Sequence, residues 1–285
     1  MNGKKNFFSL LTPNSSSFLT QQEIFWLASH ALGLSSSQLM TRENFSLDEI
    51  SKINSLLKRR EAHEPLQYIM GVADFYGRDF EIGSGVLIPR QDTETLIEAV
   101  KKIFSPEEKF IFLDWGTGSG CIAITLLLEF QNSFAYMLEA SPSAMFYAEK
   151  NLSRFYVRNR AEIKSSLNLH EKNFDLIISN PPYIPSGEIE NLMPEVRDYE
   201  PLQALDGGED GMDFYKLIFS QAKEYLKPGG FLIFEAGNAE QVRELKNFDE
   251  NFIFTDQIFD AGNFPRALIF RFREQNMSMQ FNISP

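Results

Sequence analysis

The run Phe110-Ile111-Phe112-Leu113 breaks into Asp114-Trp115-Gly116-Thr117-Gly118-Ser119-Gly120, and Cys121 to Leu128 then continues with helical apolar character. Strand, glycine turn, helix is the context in which a glycine-rich loop reads as a nucleotide site and not as a flexible linker. Glycines let the backbone pass close to a ligand and adopt φ > 0 where a side chain would clash. The same alternation continues down the chain, with strands read at 110–115, 134–139, 173–180 and 229–236. That spacing predicts an α/β fold with a parallel doubly wound sheet. The end differs: Phe252-Ile253-Phe254-Thr255 and Arg266 to Arg271 are strands joined by a short loop holding Gly262 and Pro265. Such a loop is too short for a crossover helix, so these two strands form an antiparallel hairpin.

The glycine spacing is G-x-G-x-G, not the dinucleotide G-x-G-x-x-G, and no pyrophosphate cradle is evident. This favours an adenosyl ligand without phosphates over a nicotinamide dinucleotide. The second strand, Phe134 to Leu138, ends at Glu139, where an acid can accept both ribose hydroxyls. The same carboxylate can instead cap Ser141-Pro142 and the helix that follows. Asp114 either orients the glycine loop through its N–H groups or sits near the cationic end of a ligand.

The third strand, Phe174 to Ser179, runs into Asn180-Pro181-Pro182-Tyr183. Neither proline has an N–H to donate, so the ladder cannot continue, and their fixed φ angles aim the surrounding carbonyls. The result is a rigid cluster of acceptors with the Tyr183 ring beside it, suited to a flat neutral –NH2 held by its two hydrogens. A plain proline turn is the alternative.

The chain has 285 residues and a formal charge of −12. Residues 1–85 carry 8 Lys/Arg against 9 Asp/Glu, or −1, and residues 86–285 carry 19 against 30, or −11. An acidic catalytic region lacks the basic face that phosphate neutralisation requires, so no direct nucleic-acid contact is expected and a protein substrate is favoured. It also suits a cationic ligand. No apolar run is long enough to cross a bilayer, Met1 to Ser17 lacks a signal-peptide core, and a single cysteine, Cys121, fits a reducing cytoplasm. The three histidines, His30, His63 and His170, are scattered, which disfavours metal catalysis.

The first nineteen residues are polar and Ser-rich and read as an arm. Thr20-Gln21-Gln22-Glu23 and Ser46-Leu47-Asp48-Glu49 have capping-box form before helical apolar patterns, predicting a small helical domain over residues 1–64. Over 65–89, Leu66 to Met70 and Arg78 to Ile82 read as two strands turning near Tyr76-Gly77, a hairpin that links to the domain at 90–285. Arg90 and Thr93 either line the mouth of the site or, for Arg90, serve a linker salt bridge.

Asp114 to Gly120, Glu139 and Asn180 to Tyr183, in that order, resemble class I S-adenosylmethionine-dependent methyltransferases acting on planar nitrogens. Glu64 to Gly71, Leu87 to Glu94, Tyr199 to Leu205 and Gly207 to Gly211 narrow the resemblance to HemK-type release factor glutamine methyltransferases. Matching segments run from Glu64 to Gly237. The resemblance implies a seven-stranded sheet, S-adenosyl-L-methionine as methyl donor with no metal, class 1 peptide chain release factors as partners, and substrate recognition by the helical domain. It implies a cofactor site at Asp114, Gly116, Thr117, Gly118, Ser119, Gly120, Glu139 and Asn180. Asn180, Pro181, Pro182, Tyr183 and Arg90 would meet the substrate. The family usually has Pro at Gln91, Asp at Glu139, and a Gly-Asp pair where this chain has Lys164-Ser165-Ser166-Leu167. Ser165 is the positional match for the adenine contact.

An amide nitrogen is a poor nucleophile because its lone pair is delocalised. Asn180 Oδ1 and the Pro181 carbonyl would each accept one amide hydrogen while Tyr183 packs on the amide plane, stabilisation that grows towards the transition state. The favoured reading is N5-methylation of the glutamine in the Gly-Gly-Gln motif of release factors. A ribosomal-protein glutamine is the nearest rival, followed by adenine N6 in nucleic acid.

Overall fold

The computed structural model describes residues 18–166 and 173–273. The expected Ser-rich arm as far as Ser17, Leu167, and the stretch from Glu274 lie outside the described residues. Four helices open the fold: α1 (Gln21–Leu32), α2 (Ser36–Thr41), α3 (Leu47–Glu61) and α4 (Leu66–Met70). Thr20 with Glu23 and Ser46 with Glu49 form the expected capping boxes, and Ser35 with Gln38 forms another. Each box satisfies two N–H groups that a helix start leaves unpaired. Leu27, Ala28, Leu39, Ile53 and Leu57 make the shared core.

Leu66 to Met70, expected as a strand, is a helical turn. Pro65 enters it, and Gly71 at φ 74° ends it with an N–H to the Gln67 carbonyl. Leu66, Ile69 and Met70 share the helical-domain core at i, i+3, i+4 spacing, while Tyr68 faces a second cluster with Val86 and Ile88. A five-residue apolar run carries too little periodicity to separate the two states. The hairpin therefore starts later, as β1 (Val72–Phe75) and β2 (Arg78–Glu81), with Val72 opposite Glu81 and Phe75 opposite Arg78. Tyr76 and Gly77 both have positive φ, the turn that matches strand twist.

The larger domain continues through α5 (Glu94–Ile103), β3 (Ile111–Trp115), α6 (Cys121–Glu129), β4 (Phe134–Leu138) and α7 (Pro142–Arg154). Next come β5 (Ala161–Lys164), β6 (Phe174–Ser179), α8 (Pro194–Arg197), α9 (Asp213–Tyr225) and β7 (Leu226–Glu235). It closes with α10 (Ala239–Leu245), β8 (Phe252–Phe259) and β9 (Pro265–Phe272). The seven strands are ordered β5-β4-β3-β6-β7-β9-β8. All pairs are parallel except β7–β9 and β8–β9, so the terminal hairpin is antiparallel. Ala-Glu-Ile-Lys at β5 escaped the sequence reading, because a short edge strand carries charge where a central one carries apolar residues.

Both sheet faces are covered, and strand alternation shows it. Phe112, Ile178, Ile233 and Ile269 face α5 and α6, while Leu113, Ile177, Leu232 and Leu268 face α9 and α10. Phe219 on α9 is buried with its ring 5.2–5.3 Å from those of Phe234, Phe248, Phe252 and Phe270. Phe219→Ala is expected to cost about 3–5 kcal/mol of stability. Urea unfolding checks it, and a loss under about 1 kcal/mol would mean this side of the core collapses around the gap.

Candidate active site

The strand order reverses between β3 and β6, and loops at the carboxyl ends of such strands part to leave a crevice. A cavity of about 520 Å³ lies there, within the usual range for small-molecule sites. The β3 loop (Gly116 to Ser119), the β4 end (Leu138 to Ser141), Ser165 and Ser166 after β5, and the β6 end (Ser179 to Pro182) line it. Val86, Pro89, Arg90 and Thr93 close it from the linker, and Pro201, Gln203 and Ala204 lie across the front. Among the sequence-predicted residues, Asp114, Gly120 and Tyr183 do not line it.

The glycine loop is tied to the β4 end. Gly116 and Thr117 N–H donate to the Leu138 carbonyl at 2.9 and 3.0 Å. Glu139 takes Gly118 N–H on Oε2 and Ser141 N–H on Oε1, each at 2.8 Å. Glu139 thus shares in orienting the loop, one of the two roles considered for Asp114, and also makes the Ser141 contact considered for it. A Cβ on Gly116 would stand in open space beside the cavity. At Gly120, φ 82°, a Cβ would lie 2.9 Å from Met137 Cε and 3.0 Å from Ile124 Cδ1, so that glycine serves packing. Asp114 is buried beneath the loop, accepting from the Thr117 hydroxyl (2.5 Å) and Ala123 N–H (3.3 Å).

At the β6 end, Ser179 donates to the Trp115 carbonyl (2.7 Å), locking β6 to β3. Asn180 Nδ2 donates to Thr93 Oγ1 at 3.0 Å. Among the described residues, nothing donates to Asn180 Oδ1 or the Pro181 carbonyl. The Tyr183 hydroxyl turns to the buried Glu235, at 3.1 Å from Oε1, and its main-chain carbonyl accepts from Gln241 Nε2 at 2.8 Å. A Cβ on Gly211 would lie 2.4 Å from that carbonyl, so the Gly207–Gly211 segment must be glycine-rich to pack behind the tyrosine. The tyrosine expected to cover the amide plane instead braces the motif from behind.

Leu87–Glu94 and Tyr199–Leu205 meet through one carboxylate. Glu200, almost wholly buried, accepts from Arg90 (2.5 Å) and from Ile88 N–H (3.0 Å). Arg90 is therefore both a salt-bridged linker residue and a wall of the cavity. Of the ionisable groups on the wall, burial pushes the Cys121 thiol up to about 12. Among the described residues, no three His, Cys, Asp or Glu side chains are grouped to hold a metal, and no helix is long and apolar enough to cross a membrane.

The chain matches the PrmC N-terminal domain family over residues 16–71 and the Methyltransferase small domain family over residues 90–194. It is similar to the release factor glutamine methyltransferase of Geobacter sulfurreducens, 44% identical over 218 residues, 75% of this chain and 76% of that one. It is also similar to the protein of the same description from Koribacter versatilis, 40% identical over 228 residues, 79% and 80% of the two chains. The chain belongs to the release factor glutamine methyltransferase family. It is an enzyme, with a methyltransferase fold. The hMettl16 catalytic domain in complex with MAT2A 3′UTR hairpin 1 shares that fold at 15% identity and a TM-score of 0.50, covering 90% of this chain and 92% of that one.

Within this methyltransferase family member, Glu200, Glu235 and Gln241 were missed by sequence reasoning. Glu235 directly follows the apolar run Phe231 to Phe234, as Glu139 follows Phe134 to Leu138, and a strand-end acid was the available signal. Gln241 lies on a helix face and carried none.

Burial pushes Asp114 up to about 7 against its bonds from Thr117 and Ala123, and pushes Glu235 up to about 7 against Thr93, Arg266 and Tyr183. A raised carboxyl binds its proton more tightly in the folded chain, so its stabilising share is full below about pH 4 and is lost as pH rises through about 7. Asp114→Asn is neutral throughout. Its loss of urea-derived stability between about pH 5.5 and 8 is expected to be smaller than the wild type's by ~1–2 kcal/mol. Equal losses would mean that Asp114 stays charged across that range.

Proposed function

We propose that this enzyme transfers a methyl group from S-adenosyl-L-methionine to the side-chain amide nitrogen (N5) of the glutamine in the Gly-Gly-Gln motif of class 1 peptide chain release factors. The observation that carries the reading is the Asn180 carboxamide, its nitrogen tied to Thr93 and its oxygen left to accept beside the Pro181 carbonyl. A primary carboxamide has two N–H donors on one nitrogen, and two acceptors side by side are its complement. The relatives' names, which specify release factor glutamine, support the same substrate.

The residues fit the donor. Gly116 leaves open space beside the cavity, Glu139 stands on its wall with oxygens that can also accept ribose hydroxyls, and Ser165 borders the neighbouring edge. Gly116 to Ser119, Glu139, Ser165 and Asn180 would hold it, with Asp114 and Gly120 shaping the loop from beneath. When bound, S-adenosylmethionine supplies an electrophilic methyl group on a sulfonium.

The protein's own part is positioning. Asn180 Oδ1 and the Pro181 carbonyl take the two amide protons, orient the nitrogen, and stabilise it more as its lone pair localises. Pro182 keeps the turn rigid and contributes no competing N–H. Tyr183, anchored on Glu235 and Gln241, holds the turn in place. The spent proton leaves to water: Arg90 is occupied by Glu200, and the Cys121 thiol is too weak an acid to supply a thiolate base. The helical domain over 1–64 would recognise the release factor, and the acidic region 86–285 would attract a basic partner loop.

Incubation with labelled S-adenosylmethionine and, separately, a class 1 release factor, a ribosomal protein and DNA is expected to label the release factor alone. Label entering the ribosomal protein or DNA in its place overturns the substrate. Asn180→Ala is expected to lower turnover about 10²-fold or more while weakening cofactor binding far less than Glu139→Ala does. Glu139→Ala is expected to weaken cofactor binding about tenfold, or ~1.4 kcal/mol, by calorimetry. Unchanged affinity would remove the ribose assignment.

A further inference from the structure

The helical domain and the sheet domain share little apolar surface. Among the described residues, the helical core around Leu27, Ile53 and Ile69 has no member in common with the cores on either face of the sheet. An apolar link runs through α4, where Ile69 faces the helical core and Tyr68 packs with Val86 and Ile88. A single link of that size is a pivot, and domains joined by a small contact move relative to one another by default. A second attachment lies elsewhere and is polar. Arg60, buried at the end of α3, donates to Glu23 of its own domain at 3.0 Å and to Glu195 of α8 at 3.1 Å. The Tyr199 hydroxyl donates to the Ala62 carbonyl at 2.5 Å. The Phe18 ring covers the Arg60 guanidinium from one side at 4.7 Å and stacks on His63 at 4.6 Å. Bonds between charged groups are roughly twice as strong as neutral ones, so this attachment is a firm one.

Two points of attachment fix an angle that one leaves free. The clamped stretch, Glu195 to Tyr199, leads directly to Glu200, whose carboxylate holds Arg90 and the Ile88 N–H, and then to Pro201 on the cavity wall. In sequence it is bracketed by Met193 and Leu202, two exposed apolar side chains. Resting on the reading that the helical domain recognises a release factor, we infer that Arg60, Glu195 and Tyr199 hold that domain at one angle to the cavity front, so that a protein substrate meets both surfaces at once. They are positioning residues and touch no reacting atom. Their effect falls on substrates large enough to span the domain and the cavity together. A short peptide that occupies the cavity alone does not sense the angle.

Glu195→Ala removes the charge and Tyr199→Phe the hydroxyl, while both leave Arg60 bound to Glu23 and the Phe ring keeps the packing of Tyr199 beside Tyr68. The full-length chain would be assayed with labelled S-adenosylmethionine on an intact class 1 release factor and on a Gly-Gly-Gln peptide, reading kcat, KM, cofactor Kd and Tm. The double variant is expected to raise KM for the release factor about tenfold, with kcat, peptide KM and cofactor Kd within about twofold. Glu195→Asp, which keeps the charge, should stay within about threefold of the wild type on every substrate. The angle itself is read as the distance between spin labels attached through Ser51→Cys on α3 and Glu244→Cys on α10, both exposed positions. One narrow distance is expected in the otherwise wild-type chain and a broadened distribution in the double variant. Equal KM shifts for protein and peptide, an unchanged release-factor KM, a loss in kcat alone, or an unbroadened distance would overturn the inference and leave the substrate reading intact. Where the peptide turns over too slowly to measure, the release-factor KM and the distance decide. A wild-type chain that methylates no glutamine overturns the substrate reading, and the distance then decides the clamp by itself.

Discussion

Two consecutive prolines at the end of a central strand leave main-chain acceptors with no main-chain donors beside them. Pro181 and Pro182 impose that condition where β6 emerges between β3 and β7, and the rest of the site is arranged around it. A substrate nitrogen whose lone pair is delocalised cannot be activated by attraction to that lone pair. It has to be held by its protons, so a patch of acceptors, kept free of competing N–H groups, is the physical requirement. In the proposed reading Asn180 completes the patch, its own –NH2 being bound to Thr93.

The two halves of the site are coupled by short links. Gly118 and Ser141 share Glu139, so the glycine loop and the start of α7 move as one wall. Ser179 ties the β6 end to the β3 end through the Trp115 carbonyl. On the far side, Glu200 holds both Arg90 and the Ile88 N–H, which fixes the linker against the segment crossing the front. The helical domain reaches the same region through Arg60, which bonds Glu23 at 3.0 Å and Glu195 at 3.1 Å, and through the Tyr199 hydroxyl on the Ala62 carbonyl at 2.5 Å. These bonds tie the helical domain to the segment that leads into the cavity wall at Pro201.

Much of this was legible in the residues before any coordinates. The glycine loop, Glu139 and the Asn180–Tyr183 turn each follow a strand with a clear apolar run, and strand ends are where such sheets keep their chemistry. The terminal hairpin was legible from loop length alone. What was not legible had weak local signal. Leu66 to Met70 is too short to show a period, and Ala161 to Lys164 is an edge strand with two charges in four residues. The choice between the two roles of Asp114 was closed to the sequence for another reason. A carboxylate beside a glycine loop looks the same in sequence whether it faces the ligand or is buried beneath it. Tyr183 is similar, since its sequence position beside Pro182 says nothing of the Glu235 that draws its hydroxyl inward. Partners such as Glu235, Gln241 and Glu200 lie 52, 58 and 110 positions from the residues they hold, and only folding brings them together.

The most direct measurement is a crystal structure of the chain with S-adenosylhomocysteine and a Gly-Gly-Gln peptide. The expected result is a glutamine side-chain nitrogen about 3 Å from both Asn180 Oδ1 and the Pro181 carbonyl, with its lone-pair face toward the sulfur. A glutamine bound with its oxygen toward Asn180, or seated outside the cavity between β3 and β6, would contradict the account.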